Sequence, residues 1–340
     1  MPNKTPGLAL AVSLFAGTIA SGWAATSIYR AWWAIALLIA FQAVFTMPYF
    51  DAGSKVGLYA WGEGMSERVR LVLLAGMSAV GVVIGYVYTL MYVRGVTAKA
   101  ATASAELDMA RQIHERVVPP VEKDFGIAEV YGKSHPSSEM GGDLLDVTLR
   151  EGLLDVYLAD VSGHGVKAGL VMGMVKSAIR MRQRSTPSLD VLVSDLNAVL
   201  ADLMMADMFT TMACVRIARR DGSTCAEFAL AGHWPILHVT SSGTLTELPN
   251  EHLPLGVDSN ELFQSGVVQL RAGDLLVLIT DGLIEVQNSA GKELGFAVFK
   301  ELIVRDRAKP LTELHDAVLN LARQHGKQLD DQSLVLVRVK

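Results

Sequence analysis

The fold is decided by the stretch Leu153-Leu154-Asp155-Val156-Tyr157-Leu158-Ala159-Asp160-Val161-Ser162-Gly163-His164-Gly165, in which an apolar run leads into a turn that carries a carboxylate. An apolar run of this length, ended by Asp and Gly, is typical of a strand in the interior of a domain. Similar apolar runs precede Asp281, at residues 275–279, and follow Asp330, at residues 334–339. We therefore expect the ends of buried strands to carry the chemically important side chains.

Four separated aspartates each lie in a short signature. The signatures are Gly141-Gly142-Asp143, Asp160-Val161-Ser162-Gly163-His164-Gly165, Thr280-Asp281-Gly282 and Asp330-Asp331-Gln332-Ser333. Any one Asp beside Gly is typical of a turn. Carboxylates at neighbouring strand ends can converge, however, and a buried cluster of carboxylates needs cations to offset its repulsion. Because oxygen ligands suit hard divalent ions such as Mg²⁺ or Mn²⁺, the set predicts a hydrolase site with two metal ions.

The order of these motifs resembles that of the metal-dependent serine/threonine protein phosphatases, the PPM or type 2C superfamily. It is most similar to the bacterial branch typified by the sporulation stage II phosphatase and the stress-response sigma-factor regulators. The matching stretches are Glu106–Ile113 with Pro119, Gly141–Asp146, Ala159–Gly165, Ala231–His233, Leu253–Gly256, Gly273–Gly282 and Asp330–Asp331. The resemblance implies an α+β fold, an αββα sandwich of two antiparallel sheets flanked by helices. Clustered strands with paired helices between them also favour α+β layers.

The resemblance also implies a role for each aspartate. Asp160 matches the ligand that bridges two Mn²⁺ or Mg²⁺ ions, and the following residue, Val161, matches the one whose backbone carbonyl binds one ion. Asp281 and Asp330 match ligands of the second ion, and Asp143 matches the carboxylate that holds the first. We expect Asp160, Asp143 and Asp281 to be catalytic residues as well as ligands.

Three further residues near these motifs have open roles. Asp146 and Asp331 can either bind an ion or orient its ligands, and strand alternation places Asp331 on the face opposite Asp330. His164 is either a general acid or a residue that fixes the loop.

The front of the chain has the pattern of a membrane region. Residues 8–50 contain a single charge, Arg30, and residues 71–93 contain none. Since a membrane-spanning helix needs about 20 mostly apolar residues, residues 1–93 are predicted to be an all-α transmembrane region with helices at 8–28, 31–50 and 71–93. The alternative for the first helix is a cleaved signal peptide.

An Ala-rich linker helix is predicted at 94–120, ahead of a phosphatase domain at 121–340, because Pro119-Pro120 stops a helix. A narrow seam with 3-4-3 spacing lies on this helix: Leu107, Ala110, His114 and Val117. Such a seam is suited to pairing with another helix, so the sequence predicts a homodimer that is regulated through the linker. The alternative is a passive spacer.

The charge of the chain argues against nucleic acid as its main partner. Residues 1–93 hold five Lys or Arg and three Asp or Glu, whereas the remainder holds 25 and 32 and is therefore acidic, at −7. The chain has two cysteines, so no disulfide framework is expected and a reducing cytosol fits the catalytic part.

These observations predict a membrane-anchored, metal-dependent phosphoserine and phosphothreonine protein phosphatase of bacterial signalling. The resemblance implies a phosphoprotein substrate such as a STAS-like anti-sigma-factor antagonist, and a multi-pass location in the cytoplasmic membrane, in contact with membrane lipid, with the catalytic domain in the cytoplasm. One alternative is a non-catalytic signalling adaptor with a phosphatase-like fold. The other is a nucleotide cyclase, since Gly141-Gly142-Asp143 is similar to the diguanylate cyclase signature, but Leu144-Leu145 replaces the acidic residue that such an enzyme needs.

Overall fold

The structure, a computed structural model, describes residues 66–163, 165–204, 208–220 and 222–340. The chain divides into two compact units, Met1–Ser104 and Ala105–Lys340. The predicted membrane helices at 8–28 and 31–50 lie outside the described residues.

The first described element is helix α1 (Glu67–Val117), which includes the predicted span at 71–93. In the described part of the chain, no helix is both long and apolar enough to cross a membrane. Membrane anchoring therefore stays a prediction. The helix ends two residues before Pro119-Pro120, where the residue that precedes a proline is driven out of the helical region.

The second unit contains two sheets in which every pairing is antiparallel. The strands of the first sheet are β1 (Val121–Asp124), β2 (Ala128–His135), β7 (Ile236–Val239), β8 (Leu245–Leu248), β10 (Leu275–Ile279) and β11 (Gln332–Val339). The strands of the second sheet are β3 (Leu144–Arg150), β4 (Leu153–Val161), β5 (Thr210–Arg220), β6 (Ser223–Ala231) and β9 (Gly266–Leu270). Their orders are β1-β2-β11-β10-β7-β8 and β3-β4-β5-β6-β9.

Four helices of the second unit flank the sheets: α2 (Val166–Arg182), α3 (Leu189–Leu203), α4 (Phe296–Asp306) and α5 (Leu311–His325). Strand β10 shows how the layers form, because side chains alternate across a strand. Leu276 and Leu278 join a core shared with the second sheet, α2 and α3. Leu275 and Val277 join a separate core with α4 and α5. The predicted αββα sandwich of two antiparallel sheets flanked by helices is confirmed.

The end of α1 does not present the predicted seam to a second helix. Ala110 and His114 are buried and Val117 is partly buried within the second unit, whereas Leu107 is 41% exposed. The Lys176 ammonium contacts the Val117 carbonyl at 2.5 Å. The sandwich covers this side of the helix because Val117 packs on its apolar core. Three of the four seam residues are therefore covered, at least partly, by the chain's own domain, and pairing through the seam stays a prediction.

Candidate metal centre

The second sheet brings Asp143 and Asp160 to one end. Asp143 directly precedes β3, and Leu144 lies opposite Ala159 in the pairing of β3 with β4. Asp160 comes one residue later in β4 and pairs with Thr211 of β5. The antiparallel register therefore places the two carboxylates next to each other at one end of the strands.

The first sheet brings the other two signatures together in the same way. Ile279 of β10 pairs with Leu334 of β11, so Asp281 follows one strand where Asp330 precedes its neighbour. Burial, together with repulsion from Asp330, raises the pKa of the Asp281 carboxyl. The two carboxyls are thus close enough to act on each other.

Two hydroxyl groups connect Asp143 to the first sheet. Thr280 Oγ1 donates a hydrogen bond to Asp143 Oδ2 at 2.8 Å, and Ser333 Oγ donates to the same oxygen at 2.5 Å. The other oxygen, Asp143 Oδ1, is buried and has no hydrogen-bond partner. Asp143 is only 1% exposed, so this oxygen is a desolvated acceptor that lacks a donor.

The electrostatics of the cluster favour a cation. Burial, then repulsion from Asp160 and Asp331, raises the pKa of Asp143 well above its usual range. Burial, followed by repulsion from Asp281 and Asp330, raises the pKa of Asp160 to about 7. A divalent ion would offset this repulsion and supply a partner for Asp143 Oδ1. The carboxylate oxygens of the cluster are therefore the type of ligand that Mg²⁺ and Mn²⁺ prefer.

Asp330 and Asp331 have different surroundings. Asp330 is exposed, whereas Asp331 is 4% exposed. Asp331 accepts hydrogen bonds from the backbone N–H of Ser137 at 2.6 Å and of Gly142 at 2.7 Å. A Cβ atom on Gly141 would lie 2.4 Å from Asp331 Oδ2, which explains the glycine at that position. Asp331 therefore holds the loop that carries Asp143, and its carboxylate is occupied by backbone donors.

The predicted carbonyl ligand lies beside the same loop. Val161 is buried, and a Cβ atom on Gly142 would come within 2.7 Å of the Val161 carbonyl oxygen. Glycine is needed there because the loop approaches the end of β4 so closely. Whether the carbonyl of Val161 binds an ion stays a prediction.

Asp146 does not belong to this cluster. It is buried on β3 and forms ion pairs with Lys176 at 3.0 Å and Arg180 at 2.6 Å, both on α2. The interpretation that Asp146 binds an ion or orients a ligand is therefore wrong. Alternation along β3 directs its side chain towards the helix layer. His164 lies outside the described residues.

No group of three or more His, Cys, Asp or Glu side chains within the described ranges is spaced to enclose a metal ion. The aspartates share one end of the sandwich without forming a closed set of ligands. Sequence reasoning missed the hydroxyls of Thr280 and Ser333. Their only signal is that each lies inside a signature, one residue before Asp281 and three after Asp330.

Comparison with known proteins supports this picture. The profile of the family Stage II sporulation protein E (SpoIIE) matches residues 150–340. The phosphoserine phosphatase RsbU of Bacillus subtilis (strain 168) is 24% identical over 247 residues, which cover 69% of this chain and 70% of RsbU. The phosphoserine phosphatase RsbP of the same organism is 26% identical over 247 residues, which cover 69% of this chain and 58% of RsbP. The match thus leaves more than a third of RsbP uncovered.

Solved structures share the fold. The SiaA-PP2C domain of Pseudomonas aeruginosa is similar with a TM-score of 0.62 and 19% identity, covering 72% of this chain and 99% of that domain. The RsbU and RsbW domains of Rv1364c from Mycobacterium tuberculosis give a TM-score of 0.56 and 26% identity, covering 66% of this chain and 62% of that one. The sandwich is therefore of the PP2C type. Because the profile match spans more than half of the 340 residues, the chain belongs to the Stage II sporulation protein E (SpoIIE) family.

Proposed function

We propose that this chain is a metal-dependent protein phosphatase that hydrolyses phosphoserine or phosphothreonine in a bacterial signalling protein. The observation that carries the proposal is the meeting of all four aspartate signatures at one end of a PP2C-type sandwich. Two of the relatives with this arrangement of sequence are phosphoserine phosphatases. The chain is accordingly a serine/threonine phosphatase. The nucleotide cyclase alternative is disfavoured, because buried Leu144 and Leu145 of β3 stand where such an enzyme needs an acidic residue.

Asp143, Asp160, Asp281 and Asp330 would hold two Mn²⁺ or Mg²⁺ ions, with the carbonyl of Val161 as a further ligand. When bound, such ions supply Lewis acidity and charge compensation for a phosphoryl group. The chain itself provides a desolvated oxygen on Asp143, a partly buried carboxylate on Asp160, and a loop fixed by Asp331. A phosphoester of an exposed serine or threonine is the substrate that such an acidic site would fit with its ions bound.

The test is hydrolysis of a phosphoserine-containing STAS-domain protein by the full chain with and without Mn²⁺. We expect phosphate release with Mn²⁺ and none after exhaustive EDTA treatment, with recovery when Mn²⁺ is returned. Release that survives EDTA would contradict the metal-dependent mechanism. No release from any phosphoserine or phosphothreonine protein would favour the non-catalytic adaptor.

The membrane location and the STAS-like substrate are also proposals. We place the helices in contact with membrane lipid and the catalytic domain in the cytoplasm. The support for this location is the lack of charged residues at 8–28, 31–50 and 71–93. The substrate is supported by the relation to RsbU and RsbP.

We also propose that α1 pairs with α1 of a second copy, through side chains that the chain's own domain leaves free. Leu107, Met109 and Ile113 are exposed by 41%, 63% and 47%. Met109 and Ile113 are four residues apart and therefore lie on one face of the helix. Buried His114 and partly buried Val117 would then transmit pairing to the domain, since the Val117 carbonyl contacts Lys176, which is ion-paired with Asp146 on β3.

Replacement of Met109 and Ile113 by Glu is expected to convert a dimer into a monomer, because each Glu would place a charge inside the paired face. Sedimentation of the full chain measures the change. The matched control is Arg111→Glu, an exposed position two residues from both Met109 and Ile113 and therefore off their face of the helix. A wild-type chain that sediments as a monomer at micromolar concentration would contradict the pairing proposal.

A further inference from the structure

One oxygen of the Asp143 carboxylate accepts two hydrogen bonds, and the other accepts none. Both hydroxyl donors, from Thr280 and Ser333, converge on Oδ2. Oδ1 is buried without a partner. A carboxylate can accept about four hydrogen bonds, so this buried one, which accepts two at the same oxygen, has unused acceptor capacity at Oδ1.

The direction of each hydroxyl proton follows from the surrounding contacts. Thr280 Oγ1 accepts the backbone N–H of Ser333 at 3.0 Å. Its own proton therefore points to Asp143 Oδ2 at 2.8 Å, since the alternative acceptor, the Asp331 carbonyl, is 3.4 Å away. Ser333 is fully buried, and its hydroxyl donates to Asp143 Oδ2 at 2.5 Å. Both hydroxyls are thus donors to one oxygen.

The two hydroxyls also join the sheets. Thr280 follows β10 and Ser333 lies in β11, both of the first sheet, whereas Asp143 precedes β3 of the second. The Thr280 backbone N–H donates to the Ser333 carbonyl at 3.1 Å, so the pair is a fixed unit. Any ligand position of Asp143 is therefore set from the opposite sheet, the one that carries Asp281 and Asp330.

We propose that Thr280 and Ser333 are positioning residues that hold Asp143 so that Oδ1 faces the cation. Their own hydroxyl protons are donated to Asp143 Oδ2. Ligand-orienting partners of this kind typically change metal affinity by about 10- to 100-fold when they are removed. This inference rests on the proposed function only in assuming that Asp143 binds a divalent ion, and metal binding can be measured without any substrate.

The experiment is calorimetric titration of the full chain with Mn²⁺. Ser333→Ala and Thr280→Val, which remove one hydroxyl each, are expected to weaken Mn²⁺ binding by about 10- to 100-fold. Thr280→Ser, which keeps the hydroxyl, is expected to restore affinity to within about threefold of wild type, since loss of a methyl group does not alter the donor. Thr148→Val is the matched control, because Thr148 is a buried hydroxyl on β3 whose partner is Gln183, away from Asp143.

Unchanged Mn²⁺ affinity in folded Ser333→Ala and Thr280→Val would overturn the inference. Equal losses in Thr280→Ser and Thr280→Val would also overturn it, since the hydroxyl would then not be the cause. A wild-type chain that does not bind Mn²⁺ would overturn it as well. A wild-type chain that binds Mn²⁺ and loses affinity in these variants, yet hydrolyses no phosphoprotein, would support the inference while the proposed function fails.

Discussion

Asp160→Asn is expected to lower phosphoprotein turnover by several orders of magnitude and to leave the fold intact. Asp160 stands beside Asp143 in the second sheet and is repelled by Asp281 and Asp330 of the first. It is therefore a carboxylate on which the charges of both other strand ends act, beside Asp143. Without its charge, the metal-binding set loses the ligand that the proposed mechanism uses to bridge two ions.

The same substitution is expected to raise, or at least not lower, the melting temperature of the metal-free chain at neutral pH. Burial raises the pKa of Asp160 to about 7, above its value in the unfolded chain. A carboxyl with a raised folded-state pKa favours the fold at low pH, and this contribution is lost as the pH rises towards 7. Asn removes the ionisation and with it that penalty. Loss of turnover with retained stability distinguishes a functional carboxylate from a structural one.

Asp202→Asn, an exposed carboxyl on α3, is the control and should change neither turnover nor melting temperature. Mn²⁺-dependent turnover near the wild-type rate in Asp160→Asn would contradict the assignment of the bridging ligand. A large fall in the melting temperature would mean that Asp160 serves the fold.

Most strands could be predicted from sequence because their apolar runs are long. The apolar run at 275–279 is β10, Leu275–Ile279, and the quoted stretch that begins at Leu153 opens with β4, Leu153–Val161. Two edge strands, β1 and β8, have no such apolar run. Each has four residues, and most of them are exposed or partly exposed. Such short polar strands form because a longer neighbour supplies hydrogen bonds, which the local sequence does not show.

The site could be predicted in its motifs but not in its supporting contacts. Alternation along the chain correctly separates the surroundings of Asp330 from those of Asp331. The partners of Asp331, the backbone N–H groups of Ser137 and Gly142, are almost 200 residues away in sequence, and no local pattern identifies them. The pairing predicted from the seam on α1 stays a prediction for a related reason. A narrow apolar stripe indicates burial, but it does not distinguish a second helix from the chain's own sandwich.

The second large effect concerns a buried ion pair that the site does not use. Arg216 on β5 is bonded to Asp155 on β4 through Nε to Oδ1 at 2.7 Å and through the terminal nitrogen to Oδ2 at 2.9 Å. Both residues are 5% exposed. The guanidinium also donates to the Pro187 carbonyl at 2.5 Å, so it fixes the turn between α2 and α3 on the second sheet.

Arg216→Ala is expected to lower the free energy of unfolding by about 3–5 kcal/mol, because it leaves the Asp155 carboxylate buried without its cation. Urea denaturation of the full chain measures the change, and Arg219→Ala, an exposed arginine on the same strand, should cost less than about 0.5 kcal/mol. Asp155→Leu combined with Arg216→Met should be less destabilising than Arg216→Ala, since no unpaired charge is left. A double variant as unstable as the single one would show that the loss comes from the Pro187 contact and the packing of the turn, and that the unpaired charge is not its cause.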